Sequence, residues 1–579
     1  MKKKVFKRLL SMLVTSGVVL SLAACGGGDN VPAIGASGAE SASAASENGV
    51  PTISLYPSAA NLQSGVVGGF KGEYFAERGF NVDVWAYSDE KTNAILASGD
   101  LPDVMYIPAN RLDTMIESGM LLNLDDYLDK MPHLKEFKEA EPALNYIRKF
   151  KSAGTGSIYG LTTDIGTNYA KYKMSDSTER NALKLRWDVY DEIGAPEINS
   201  MDDVLDVMEK MLKAHPTEED GTTCYGTVLN NGSDSEYFAN MTMWYRMQGY
   251  KEDQLPYLLE ADMVNGKFTS ILDKDSMYYK GLKWYNEAYR RGLMDPDSIN
   301  NDRPTQKVKV DNGYAMVPSG YLPGWADKYL EYYVPGTHLY YNYDQKYGNS
   351  NVMIGINANT ENLDACLKFL DMLCDPDAFL WVRSGPEGEI WQVDENGVAS
   401  LTDKAIESIK INGSERSGFT LESGEVVELW NTPWIIANGV ETKYKDKDGN
   451  FRCCTTAGWP EMREFDAEKE SFKAWQKTTG YNSWQELLQD KGALTTSSDL
   501  DNLRNFTSIP DDTMKLTIDA IKDKVVNASW QMVYAKDDAS FDELWQQMVS
   551  DCEGLGAKDI IEWRLNDIEN AKKIRDSLG

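Results

Sequence analysis

A chain of 579 residues with 90 acidic and 59 basic side chains carries a formal charge of −31, which argues against nucleic acid or an anionic bilayer as the surface it binds. That length is too great for one compact core and demands two or more lobes. Seven cysteines and three histidines, with no CxxC pair, argue against a disulfide scaffold and against a zinc site.

The chain opens on MKKKVFKR, five cations, followed by an uncharged apolar run from Leu9 to Ala23. Fifteen residues are short of the roughly 20 that a bilayer-crossing helix needs, so this is a secretory signal peptide over residues 1–24. Leu22-Ala23-Ala24-Cys25 matches the bacterial lipobox, in which cleavage precedes the cysteine and its thiol takes the lipid, so Cys25 is expected to be the anchor. Residues 25–50 are mostly Gly, Ala and Ser without apolar period, a flexible tether. Loss of the five leader cations takes the mature body to about −36, a charge suited to standing clear of a negative surface.

From residue 52 short apolar runs alternate with helical patterns: ISLYP as a strand, 61–79 as a glycine-interrupted helix, NVDVWAYS as a strand, EKTNAILASG as a helix and PDVMYIP as a strand. This βαβαβ order predicts a parallel sheet, with ligand beyond the carboxyl ends of its strands, near Tyr56 and the loop from Pro108 to Arg111. Ser200 and Asp203 form a capping box for a helix whose Val204, Val207, Met208, Met211 and Leu212 make one apolar face. An amphipathic helix follows from Met277 to Gly292, then the strand NVMIGIN and the helix TENLDACLKFLDMLCDPD. The acidic loops DENG at 394 and DKDGN at 446 lack the spaced carboxylates of an EF-hand and read as hairpin turns. Cys366 and Cys374, eight apart on a helix, are about 12 Å apart and out of disulfide reach.

Several phrases, in this order, resemble one family. NAILASGDLPDVMYI, ESGMLLNLDDYLDKMP, GSIYGLTTDIG, LKLRWDVYDEIGAPEINSMDDVLDVMEKM, VMIGINANTENLDACLKFLDML, GPEGEIW and WQMVYAKDDASFDELWQQM are similar to stretches of the carbohydrate-binding extracellular solute-binding proteins of ABC importers. The resemblance implies a two-lobed, periplasmic-binding-protein-like (type II) α/β fold with a hinge and a central ligand cleft. It places lobe one at 51–163 with 350–410 and lobe two at 164–349 with 411–579. It departs from the family twice: AHPTEEDGTTCYG stands where many long members carry an acidic calcium loop, which puts calcium in doubt, and Thr162 replaces a proline near the first crossing.

By the same resemblance Asn110 and Arg111 hydrogen-bond sugar hydroxyls, and Tyr321 and Trp325 in AMVPSGYLPGW form an aromatic platform. Trp244, Trp430 and Trp434 are further candidates, in a chain whose 31 Tyr and 15 Trp outnumber 16 Phe and suit a wet groove. The implied function is a lipid-anchored receptor on the extracellular face of the cell membrane that hands a carbohydrate, an oligosaccharide by preference, to an ABC permease. A monomer is expected, touching the membrane through its lipid alone, without cofactor or metal. A receptor for a peptide or another solute is an alternative, as is a secreted glycan-degrading enzyme, although no nucleophile elbow, HExxH or phosphate loop is present.

Overall fold

The computed structural model describes residues 49–579 apart from 58–63, 163–164, 168–181, 232–237, 253, 320–327, 342–344, 348–351, 413–418, 428–440, 457–458, 460, 462–468, 497–499, 501–502, 504–505 and 579. The signal peptide, Cys25 and nearly all of the tether therefore lie outside the described residues. No helix among the described residues is long and apolar enough to cross a membrane.

The N-terminal sheet is built as the alternating pattern requires. β1 (Thr52–Tyr56) lies between β3 (Asn81–Val84) and β4 (Val104–Pro108), all three parallel, with α1 (Gly69–Glu77) and α2 (Asp89–Ser98) as crossovers. Ile53, Leu55, Val82, Val104 and Ile107 are buried, as strands covered on both faces must be. The expected long helix at 61–79 is instead a short edge strand, β2 (Gly65–Val66), followed by α1. Gly65 at φ 125° and Gly69 at φ 62° take backbone angles that no continuous right-handed helix allows. α2 starts at the Ser88 cap, whose hydroxyl accepts from Lys91 N at 3.1 Å, and stops at Gly99 with φ 77°.

The strand Val352–Ile356 returns to this sheet antiparallel to β4, and Leu161–Thr162 pairs antiparallel on its far side. Its core gathers Ile53 to Ile165 with Met353 to Val382, so two distant stretches of chain share one hydrophobic interior. A larger interior joins Ala182 to Leu339 with Trp475 to Ile560, around the helices Met201–Ala214, Met277–Arg290, Asp512–Val533 and Asp538–Gly554. Ser200 caps the first of these by accepting from Asp203 N at 3.2 Å, and Asp203 reaches back to Asn199 N at 2.9 Å, one residue beyond the expected reciprocal partner. The apolar face is as predicted, with Val204, Val207, Met208 and Met211 buried and Leu212 half-buried.

A third cluster bears on where the chain changes lobe. Phe419, Leu421, Val427, Cys453, Cys454 and Trp459 pack with Phe70, Phe379 and Leu380, side chains of the N-terminal region and of the helix Pro376–Ser384. These six residues thus adjoin elements expected in lobe one, whereas the resemblance places everything after 410 in lobe two. Both acidic loops are hairpin turns: Asp394 accepts from Asn396 N and Val398 N at 2.8 Å, and Asp446 from Asp448 N and Asn450 N at 2.9 Å. The six described cysteines are buried and no disulfide joins them, Cys366 and Cys374 among them.

Candidate functional site

The parallel strands β1, β3 and β4 end on one edge, and the residues just beyond them make the site. β1 ends at Tyr56, whose ring is fully buried. Its hydroxyl donates to Ser88 O and shares a proton with Thr92 Oγ1, both at 2.8 Å, and receives Ser88 N at 3.2 Å. Tyr56 therefore spends its polar end on the first turn of α2 and fixes where that helix begins.

β3 stops at Val84, four residues before the strand expected from NVDVWAYS would end, and Trp85, Ala86 and Tyr87 lie half-buried past it. Trp85 Nε1 donates to Asp83 Oδ2 at 3.3 Å, and the Tyr87 ring lies 5.8 Å from Tyr56 at an interplanar angle of 37°. Above these rings sits Lys91, its Nζ 5.3 Å from the Trp85 centroid and 5.9 Å from that of Tyr56. A cation over an indole face is held by the ring quadrupole. Lys91 makes no ion pair with any described residue. β4 runs directly into α3 (Ala109–Glu117), whose cap, Pro108, offers no side-chain hydrogen bond. Asn110 lies in that first turn, and Arg111 is exposed and forms no ion pair with a described residue.

The arrangement is two aromatic faces with a cation between them at the carboxyl edge of a parallel sheet, a place where α/β proteins bind ligands. No protein-family model matches the sequence, and no curated relative matches it. Solved structures do resemble the whole chain. An extracellular solute-binding protein from Bifidobacterium longum subsp. infantis is similar over 92% of this chain and 99% of its own, at 15% identity and a TM-score of 0.56. An S. pneumoniae ABC-transporter substrate-binding protein, FusA, solved with kestose, matches over 91% and 99% at 16% identity and 0.55. An HMO-binding, ABC-transporter-associated solute-binding protein from Bifidobacterium longum infantis matches over 90% and 99% at 16% identity and 0.52. The fold is that of the extracellular solute-binding proteins.

Within the solute-binding fold the other predicted residues divide. Tyr321, Trp325, Trp430 and Trp434 lie outside the described residues. Trp244 is buried on the helix Thr242–Met247, its ring 5.8 Å from Trp284 in a T-shaped pair and close enough to Gly281 that a Cβ there would meet it at 3.2 Å. Its ring is packed like any core tryptophan, yet its Nε1 has no hydrogen-bond partner, an uncommon state for a buried donor.

Among the described residues one group of side chains has metal-ligand spacing: His215, Glu218 and Cys224, in the segment that departs from the family's calcium loop. Glu218 Oε1 lies 3.1 Å from His215 Nε2 and 3.6 Å from Cys224 Sγ. The cation they face is Arg186. It is 2% exposed, binds Asp188 through Nε at 3.1 Å and Nη2 at 3.0 Å, donates to Gly313 O at 2.6 Å, approaches His215 Nε2 at 3.3 Å, and forms a short hydrogen bond with Glu218. Burial alone would raise the Glu218 carboxyl, but the Arg186 hydrogen bond and charge outweigh it and hold the group below its ordinary value. Burial and the Glu218 charge push the Cys224 thiol up to about 11, so it is the neutral thiol and a poor metal ligand at pH 7. The guanidinium thus supplies the positive charge that a metal would bring.

Trp85, Tyr87 and Lys91 were not singled out from sequence because NVDVWAYS was read as strand to its end. The signal was present: the apolar alternation ends at Val84, and aromatics just past a parallel strand fall where ligand is expected.

Proposed function

We propose that this protein is a carbohydrate receptor, lipid-anchored at Cys25 on the outer face of the cell membrane, that captures an oligosaccharide and delivers it to an ABC permease. The observation that carries this reading is the half-buried rings of Trp85 and Tyr87 with Lys91 at the carboxyl edge of the first sheet, in a chain whose fold two solute-binding proteins match over 92% and 91% of its length. Flat apolar faces with polar groups at their rim suit pyranose and furanose rings, and two proteins of this fold are described with an oligosaccharide ligand, kestose in one and HMO in the other. Arg111 and Asn110, on the neighbouring turn of α3, would hydrogen-bond hydroxyls, and Trp325 and Tyr321 would stack from the opposite lobe. The neighbours in fold are binding proteins, and the receptor is read as acting without catalysis, cofactor or metal, as a monomer.

In this reading lobe one comprises 51–163 with 350 to about 460, and lobe two 164–349 with the remainder. The later boundary follows from the packing of residues 419–459 against Phe70, Phe379 and Leu380. A thermal-shift screen of the mature body against soluble glycans tests the function. A ligand at one hundred times its dissociation constant adds about 2.7 kcal/mol to folding stability, and at least one glycan is expected to raise the melting temperature. Release of reducing ends without stoichiometric binding would favour an enzyme, and a Cys25→Ala chain that is processed and still membrane-bound would remove the anchor.

A further inference from the structure

We infer that the ligand carries an acidic substituent, a carboxylate or a sulfate, and that Lys91 reads it. The inference rests on the carbohydrate-receptor reading and names the substrate class within it. The chain has 90 acidic residues against 59 basic ones, so a lysine meets a carboxylate readily, and many here do: Lys130 with Asp364, Lys184 with Glu331, Lys283 with Asp538 and Lys309 with Asp295. Lys91 is different. It is half-buried, it forms no ion pair with any described residue, and its ammonium is held over the faces of Trp85 and Tyr56.

Its surroundings make that placement costly. Lys91 lies in the first turn of α2, where the helix dipole disfavours a cation, and Ser88 already caps the turn through Lys91 N. No described carboxylate side chain near in sequence pairs with it. Asp83 accepts the Trp85 indole proton, and Glu90 is the adjoining residue on the helix, whose side chain diverges from that of Lys91. A half-buried lysine with no described counter-ion, at the edge where ligand is expected, gains most from an anion brought by that ligand. The half-buried Trp85 ring beside it would stack on the sugar that bears the charge. Arg111, exposed at the start of α3 and without an ion pair to any described residue, adds a second cation to the same edge. The net negative charge of the body does not oppose this, because at physiological ionic strength fields are screened beyond about 8 Å and contact groups decide.

The test measures binding of the mature chain to oligogalacturonides, to the same oligomers fully methyl-esterified, to keratan sulfate oligosaccharides, which carry sulfate without uronic acid, and to neutral malto-, cello- and fructo-oligosaccharides. An acidic probe is expected to bind at least tenfold more tightly than any neutral one, with affinity falling as salt rises. The carboxylate and sulfate arms identify the charged group, and loss on esterification confirms a carboxylate in the unmodified protein. Lys91→Met should lower acidic-glycan affinity at least tenfold more than it lowers neutral-glycan affinity, with Lys91→Arg restoring most of the loss. Tight binding of neutral glycans without an acidic preference overturns the inference and leaves the receptor reading standing. An acidic preference that survives Lys91→Met overturns the role of Lys91. Failure of every glycan to bind overturns both readings.

Discussion

Arg186 ends a strand and Lys91 lies in the first turn of a helix, and the two stand at opposite extremes of how a folded chain treats a cation. Arg186 is almost wholly buried and every side of its guanidinium is used: Asp188, Glu218, the Gly313 carbonyl and the His215 ring surround it. Lys91 is half-buried and faces two aromatic rings with no carboxylate. A charge that the chain itself neutralises from all directions is committed to structure, because breaking any pair leaves a buried ion without solvent. A charge held only by ring quadrupoles gives up little when it turns to a ligand. Full satisfaction therefore marks the pin, and incomplete satisfaction marks the site.

The largest effect expected from this contrast is at the pin. Arg186→Met keeps the length of the side chain and removes its charge, leaving Glu218 partly buried without its partner. Chemical denaturation should show a loss of about 3 kcal/mol, while any glycan that binds the remaining folded protein does so with unchanged affinity. A variant as stable as the parent would show that the surrounding carboxylates are solvated and that the contrast with Lys91 is empty. Because Arg186 supplies the positive charge, EDTA should leave the melting temperature of the unmodified protein where it was.

At the site the order of effects reverses, with affinity lost and stability kept. Trp85 is half-buried past the end of β3, so Trp85→Ala removes a stacking face without hollowing the core. Glycan affinity should fall at least tenfold, about 1.4 kcal/mol, with the ligand-free melting temperature nearly unchanged. A drop in melting temperature with affinity intact would move Trp85 to the side of Arg186.

How far the sequence could be read follows the same division. The parallel order and the capped helix after Ser200 were legible because buried strands and amphipathic helices write their period into residue after residue, whereas the return of Val352–Ile356 to the first sheet was legible only through the family resemblance. The strand at Gly65–Val66 was not, since two residues carry no period and glycine angles are invisible until φ is known. The site was legible only as an edge. Tyr56 does end its strand, but nothing in ISLYP tells that its hydroxyl is used up on Ser88 and Thr92. Nor does any local pattern bring His215, Glu218 and Cys224 around Arg186, about 30 residues earlier in the chain, because that meeting is made by the fold.

Trp244 sharpens the comparison from within the core, where its ring is satisfied by packing and its Nε1 is not. Trp244→Phe deletes the donor and retains an aromatic ring. Removing a donor that pairs with nothing should cost little beyond the lost ring volume, so the apo protein is expected to stay within about 1 kcal/mol of the parent. If the indole N–H is kept for a ligand hydroxyl, affinity falls severalfold in the same variant. Unchanged affinity would make Trp244 a core residue with an unpaired atom and no part in binding.

The smallest effect lies between the extremes, at a cation that exists only below a certain pH. His133 Nδ1 is 2.7 Å from Asp371 Oδ2 and its Nε2 is 3.5 Å from Asp375 Oδ2, joining the helix Pro132–Glu136 to the turn between Leu363–Met372 and Pro376–Ser384. The Asp371 hydrogen bond raises the imidazole above its ordinary 6.5, burial opposes it, and the charges of Asp375, Asp371 and Asp377 add to the rise. A raised folded value means that the charged form is favoured by folding, so the contribution is complete below about pH 6.5 and disappears as pH climbs through the folded value. The neutral ring can still donate Nδ1–H to Asp371, which also accepts Leu134 N at 3.0 Å, so only the charge term is lost. Half of this side chain meets solvent, and the screened pair should contribute about 0.5 kcal/mol. Denaturation of the parent against His133→Gln between pH 5.5 and 8.5 should show a stability gap that narrows as pH rises. A gap that widens instead would mean that burial, and not Asp371, governs His133.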